Sequence, residues 1–101
     1  MDFTAWQHFR LAIEADPSDV TTRRDYATFL WKRRHDVEAA RDAFEEAVSL
    51  DSASPDGSLL LRYLDFLTSA TSSLRDKTNA LERAAEIRRT LYERGLTDSD
   101  I

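Results

Sequence analysis

Apolar side chains recur every three to four residues along most of the chain, which is the spacing of one face of an α-helix. Five such stretches are separated by polar or proline-containing breaks. The chain holds only two glycines and two prolines, so long helices are favoured over short strands and tight turns. The pattern therefore predicts an all-α fold with helices over residues 3–15, 20–34, 37–49, 55–69 and 74–94.

The predicted helix ends rest on residues with known capping chemistry. Asp16 followed by Pro17 ends the first helix, because proline disfavours helical backbone in the residue before it. Ser73 followed by Asp76 resembles a capping box, and Gly95 is expected in the left-handed conformation that ends the fifth helix. The expected N-caps of helices two to five are Ser18 or Asp19, Asp36, Ser54 before Pro55, and Ser73.

Two short patterns recur along the chain. An aromatic, two mostly polar residues, a small residue and an aliphatic residue make up 9–13, 44–48 and 92–96. In a second pattern, a tyrosine is followed by two other residues and then by phenylalanine and leucine. This pattern occurs at 26–30 and 63–67. The two kinds alternate, and a repeat of about 34 residues is typical of stacked helix pairs.

These patterns resemble the tetratricopeptide repeat family. Ala5, Phe9, Ala12 and Pro17 match the spacing of that family's second helix, and Tyr26 begins the match to the following unit. The resemblance implies antiparallel helix pairs stacked as a short right-handed superhelix of about five helices. It also implies one domain over 1–96, with a half repeat at 1–17, repeats at 18–53 and 54–96, and a tail at 97–101.

The residue pattern of the repeats is also similar to that of the half-a-TPR subfamily of RNA-processing scaffolds. Tyr63 and Phe66 match its paired aromatics, and Ala40 with Arg41 matches the start of its second helix. Arg23 stands where that subfamily has a tryptophan early in the first helix. A scaffold in an RNA-processing complex is therefore one alternative function.

Composition narrows the function further. The net charge of -5 disfavours direct nucleic-acid binding by the chain as a whole, and the lack of cysteine excludes disulfides and cysteine-based zinc sites. Residues 1–4 lack the features of a secretory signal, and no apolar run has the length of a membrane span. We therefore expect an intracellular protein, cytoplasmic or nuclear.

Catalytic chemistry is not expected from the motifs. His8 and His35 are the only histidines, and neither has a second histidine four residues away as a helical metal site needs. No Gly-x-Ser-x-Gly elbow and no phosphate-binding glycine loop occurs. The sequence predicts no enzyme activity, no metal and no cofactor. The basic run at 32–35 has two open interpretations: compensation of its own helix dipole, or contact with phosphate or an acidic partner.

Protein binding is the predicted function, through the concave face that the family register implies. Trp31 is either an interface anchor or a residue at the edge of the core. Arg24, Asp25 and Thr28 replace the lysines and asparagines with which some family members hold a peptide C-terminus, so that mode is not expected. The expected groove residues are Thr21, Arg24, Thr28, Trp31, Lys32, Leu61 and Asp65.

Self-assembly is a further alternative. The first helix has no partner of the other type, so its apolar side would be left uncovered. A second copy, or another part of a longer protein, would cover it. The residues expected at that interface are Phe3, Trp6 and Phe9.

Overall fold

A computed structural model describes residues 2–51 and 57–95, with side chains from residue 4 onward in these ranges. Within these ranges all regular structure is helical, which confirms the all-α prediction. The elements are α1 (Asp2–Ala15), α2 (Val20–Lys32), α3 (Val37–Leu50), α4 (Gly57–Ala70), a 3-10 turn (Thr71–Ser73) and α5 (Lys77–Glu93).

Some predictions lie outside the described residues. They are the N-cap at Ser54 and Pro55, the side chain of Phe3, and the tail at 97–101. The chain forms two compact units, residues 1–54 and 55–101. A single domain over 1–96 and a right-handed superhelix stay predictions.

In the first unit, α2 packs against both α3 and α1. The Asp19 carboxylate accepts the Thr22 amide at 3.3 Å, and the Asp36 carboxylate accepts the Ala39 amide at 3.2 Å. These N-caps satisfy amides that a helix start leaves without a partner, and they set where α2 and α3 begin. The buried residues of the unit are Ala27, Phe29, Leu30, Ala40, Phe44 and Ala47.

In the second unit, α4 packs against α5. Alanines on the buried face of α5 let the two helices approach, and large side chains from α4 fill the space beside them. The Tyr63 and Phe66 rings lie 6.3 Å apart, and the Arg83 guanidinium lies 6.0 Å from the Tyr63 ring centroid. The buried residues are Leu59, Leu60, Tyr63, Phe66, Leu67, Ala70, Leu74, Ala80, Ala84, Ile87 and Leu91.

The predicted start of the fifth helix is wrong by three residues. Leu74 has extended backbone (φ -82°, ψ 146°) and is buried, so the chain straightens there to bring this side chain into the core. The N-cap of α5 is Asp76, whose carboxylate accepts the Asn79 amide at 3.0 Å. Ser73 lies in the 3-10 turn and is not a cap. At the other end of α5, Gly95 has φ 68°, which confirms the predicted left-handed residue.

The alignment of Tyr92 with Phe44 is also not reproduced in the packing. Phe44 is fully buried, whereas Tyr92 is 71% exposed and its neighbour Leu91 is buried instead. The buried stripe of α5 runs through Ala80, Ala84, Ile87 and Leu91. Tyr92 lies about 100° further round the helix from Leu91, outside that stripe.

Candidate partner-binding surface

One side of α2 carries the first five predicted groove residues. Positions 21, 24, 28 and 31 are separated by three, four and three residues, so they form one row along the helix, and position 32 lies beside it. Thr21 and Lys32 are exposed, while Arg24, Thr28 and Trp31 are half-buried. We call these five residues the α2 row.

Polar contacts fix the middle of the α2 row. The Arg24 guanidinium lies against the Asp25 carboxylate, with Nη2 at 3.1 Å and Nε at 3.3 Å from Oδ1. The Thr28 hydroxyl donates to the Arg24 carbonyl oxygen at 3.1 Å. Asp25 therefore offsets much of the Arg24 charge, which leaves Lys32 as the stronger positive centre of the row.

Trp31 lies where the α2 row meets the end of the helix. It is half-buried, so part of its indole ring packs on the protein and part faces solvent. The Lys32 ammonium lies 4.0 Å from the centroid of the Trp31 ring. A cation–π contact of this kind is worth about 0.5–1 kcal/mol at an exposed site and holds the two side chains together. The pair thus offers an apolar surface and a positive charge side by side.

The four residues at 32–35 form what we call the basic turn. Of these only Lys32 belongs to α2, while Arg33 is its C-cap and Arg34 and His35 follow it. The Phe29 carbonyl accepts the amides of residues 33 and 34 at 2.9 and 3.3 Å, and the Leu30 carbonyl accepts the amide of residue 36 at 2.9 Å. Backbone amides thus satisfy two of the carbonyls that the end of a helix leaves without an intrahelical partner. All four side chains are exposed.

The other two predicted groove residues, Leu61 and Asp65, lie on α4 in the second unit. Both are exposed on the side of α4 away from its buried face. The Thr68 hydroxyl, one turn further on, donates to the carbonyls of Leu64 and Asp65 at 3.1 Å. The predicted groove residues are thus surface residues of two helices, five in one unit and two in the other.

The residues predicted for self-assembly have a different setting. The Phe9 ring lies 5.6 Å from the Tyr26 ring and 5.3 Å from the Phe29 ring, so it takes part in the packing of α1 on α2. Trp6 is half-buried, with the Arg10 guanidinium 5.0 Å from its ring centroid. The large apolar side chain that α1 exposes is Leu11, at 62%.

Among the exposed apolar side chains that sequence reasoning missed are Leu11, Leu81 and Tyr92. The signal was present for α5, because Leu81 and Tyr92 are each one residue past a member of the Ala80, Ala84, Ile87 and Leu91 stripe. Leu11 likewise lies outside the stripe of α1. A helical-wheel reading of each stripe would have placed all three on the surface.

The N-cap of α2 shifts the pKa of its own carboxyl group. Hydrogen bonds from the Thr22 hydroxyl, at 2.8 Å, and then from the Thr22 amide lower the pKa of Asp19 below its usual 3.8. This is the electrostatics of an N-cap. Over residues 2–51 and 57–95 no group of three or more histidine, aspartate or glutamate side chains is arranged to hold a metal ion. None of the described helices is long and apolar enough to cross a membrane.

Comparison of the chain with family models, with curated proteins and with solved structures finds no match.

Proposed function

We propose that this chain is a protein-interaction module that binds a peptide or helix of a partner protein along the α2 row. The observation that carries the proposal is Trp31, which is partly exposed in a row of polar residues with the Lys32 ammonium over its ring. Tryptophan is among the residues most enriched where interfaces derive their binding energy, because a large rigid ring buries much area at little entropic cost.

The resemblance to tetratricopeptide repeats supports the same surface. In that family, first helices line the concave side of a superhelix, and α2 and α4 are the helices that match that type. The resemblance also implies that Leu61 and Asp65 of α4 take part in binding. We place the module inside the cell, in the cytoplasm or nucleus, a setting that a chain without cysteine suits.

A displayed peptide library selected against the full chain tests this proposal. Trp6 and Trp31 are the only tryptophans, so the Trp6→Phe variant makes Trp31 the sole source of tryptophan emission. We expect selected peptides to shift that emission and to bind at least tenfold more weakly to Trp31→Ala and Arg24→Ala, as expected for residues at the centre of an interface.

The controls separate binding from folding. Trp31→Phe keeps an aromatic ring at this half-buried position, and far-UV circular dichroism reports the helical content of each variant. Leu81→Ala removes an exposed apolar side chain from the second unit and should leave affinity unchanged. Selected peptides that bind Trp31→Ala and Arg24→Ala as tightly as the parent chain would rule out the α2 row as the binding surface.

Self-assembly through α1 is a second candidate, and the exposed Leu11 favours it. Leu11 and Ala12 are both exposed on α1, and half-buried Trp6 lies on the same helix. Sedimentation equilibrium at increasing concentration should then show a dimer or larger species that Leu11→Asp dissociates. A strict monomer at high concentration would exclude this candidate.

A further inference from the structure

We propose that the basic turn and Trp31 together dock an acidic peptide segment that carries one aromatic or large aliphatic side chain. This inference rests on the proposed function and names the chemistry of the partner. Carboxylates of the segment would pair with Lys32, Arg33 and Arg34, while its apolar side chain would pack on the Trp31 ring.

Charge distribution is the first argument. Residues 1–54 contain seven lysines and arginines against eleven aspartates and glutamates, yet three of the seven cations are consecutive at 32–34. All three are exposed. A concentrated positive site on an otherwise acidic unit attracts a short anionic segment and repels a long one, because the surroundings carry the opposite charge.

Backbone geometry is the second argument. Three amide-to-carbonyl hydrogen bonds hold the basic turn, and His35 lies in the left-handed region at φ 56°. That conformation is uncommon for a residue with a Cβ atom, and such strain persists where the surrounding structure determines it. The cations therefore project from a backbone of defined shape, which lowers the entropy lost when a partner binds.

The contact between Lys32 and Trp31 is the third argument. With the ammonium 4.0 Å from the ring centroid, a carboxylate paired with Lys32 brings the neighbouring part of a bound chain over the indole. The planar guanidinium groups of Arg33 and Arg34 suit bidentate pairing with carboxylates. One aromatic or aliphatic side chain among several acids satisfies both parts of this surface.

The same surface is a poor match for nucleic acid. Tight electrostatic binding to a polynucleotide needs many phosphate contacts, and the basic turn supplies three permanent cations. The exposed carboxylate of Asp36 follows the turn directly. A phosphate backbone that extended past the turn on this side would meet this negative charge.

The test uses the full chain and a fluorescein-labelled peptide of ten residues, with aspartates and glutamates on both sides of one central phenylalanine. Three further probes complete the set: the peptide with asparagine and glutamine in place of the acids, the peptide with alanine in place of phenylalanine, and a ten-nucleotide oligothymidylate. Fluorescence anisotropy gives each Kd at two salt concentrations.

Charge reversal at Arg33 and Arg34 has a matched control. Arg88 and Arg89 on α5 are also consecutive and exposed, so the double variants Arg33→Glu/Arg34→Glu and Arg88→Glu/Arg89→Glu have the same net charge. We expect the acidic peptide to bind the first variant at least tenfold more weakly than the parent chain, and the second within twofold. Trp31→Ala, or alanine in place of the peptide's phenylalanine, should cost at least fivefold. Added salt should weaken binding.

Other outcomes overturn the inference in distinguishable ways. Equal weakening in both double variants would show a net-charge effect and no site. Equal affinity for the uncharged peptide and the acidic peptide would show that the partner need not be acidic, and the proposed function would stand. Tighter binding of oligothymidylate, lost in the first variant, would make the turn a nucleic-acid site. If the acidic peptide fails to bind but library peptides bind the α2 row, only this inference is overturned. If neither binds, the proposed function is overturned as well.

Discussion

His35 has a strained backbone conformation. Among the described residues it is the only one other than glycine with a positive φ, and it follows the end of α2. The left-handed conformation brings Cβ close to the following carbonyl, which costs an L-residue free energy that glycine does not lose.

We expect His35→Gly to stabilise the protein by about 0.5–1 kcal/mol, since relief of this strain exceeds the extra chain entropy of glycine. Urea unfolding followed by circular dichroism measures the change. His35→Ala is the control, because it retains Cβ and should give no such gain. A glycine variant no more stable than the alanine variant would contradict the strain argument.

Asp19 carries a pH dependence with a defined sign. Hydrogen bonds from Thr22 lower its pKa in the folded chain, so its charge stabilises the fold above its usual pKa of 3.8, and this contribution is lost as pH falls through the lowered value. Asn also caps helices well, so Asp19→Asn isolates the charge. We expect the stability advantage of the parent chain over Asp19→Asn to shrink below pH 3.8 in thermal melts. A stability difference between the parent chain and Asp19→Asn that stays constant from pH 7 to pH 2 would be evidence against this role of the Asp19 charge.

At the element scale, the N-terminus of α5 shows how a local signal misplaces a helix end. Ser73 and Asp76 both suit an N-cap, and sequence alone favoured the first because of their spacing. The choice depends on Leu74, whose burial requires extended backbone between the 3-10 turn and α5.

The two residues give a paired prediction. Asp76→Ala should destabilise the protein by about 1 kcal/mol, because the Asn79 amide loses its carboxylate acceptor at 3.0 Å. Ser73→Ala should change stability by less than about 0.5 kcal/mol, as is usual for an exposed residue without a capping role. Chemical denaturation of both variants measures these changes in stability. A larger loss for Ser73→Ala than for Asp76→Ala would indicate that Ser73 is the N-cap and that α5 begins at residue 74.

The buried face of α5 gives a second paired prediction. Leu91 is fully buried and Tyr92 is 71% exposed, although the repeat pattern in the sequence singles out Tyr92. Leu91→Ala should cost about 2–5 kcal/mol through lost burial and a cavity, and Tyr92→Ala less than about 0.5 kcal/mol. Thermal or urea unfolding of the two variants compares them. A larger loss for Tyr92→Ala would place the buried stripe one residue further along.

At the scale of the whole molecule, charge governs solution behaviour. The chain has a net charge of -5 and an isoelectric point near pH 4.9, so repulsion between molecules is weakest near that pH. We expect a solubility minimum near pH 4.9 in a precipitation series. Arg88→Glu/Arg89→Glu should move the minimum to lower pH without changing the helical content. A minimum that stays at the same pH in this variant would point to acid unfolding as the cause.

Local patterns in the amino-acid sequence were enough to predict the helical class, the number of α-helices found in the described residues, an N-cap at Ser18 or Asp19, and the helix ends at Asp36 and Gly95. These features are local: hydrophobic spacing, an acceptor side chain before a helix, and a residue that tolerates positive φ act within a few positions. The α2 row was predictable for the same reason, since it follows from the face that α2 buries.

Tertiary packing was needed to show that Leu91 and not Tyr92 is buried, that α5 begins after the buried Leu74, and that the Phe9 ring packs on α2. Burial depends on which neighbour a helix meets, and a periodic pattern in one helix does not contain that information. The basic turn became a candidate site in the same way. Its four residues are adjacent in any conformation, but their shared exposure and the position of the Lys32 ammonium over the Trp31 ring depend on how α2 ends in three dimensions.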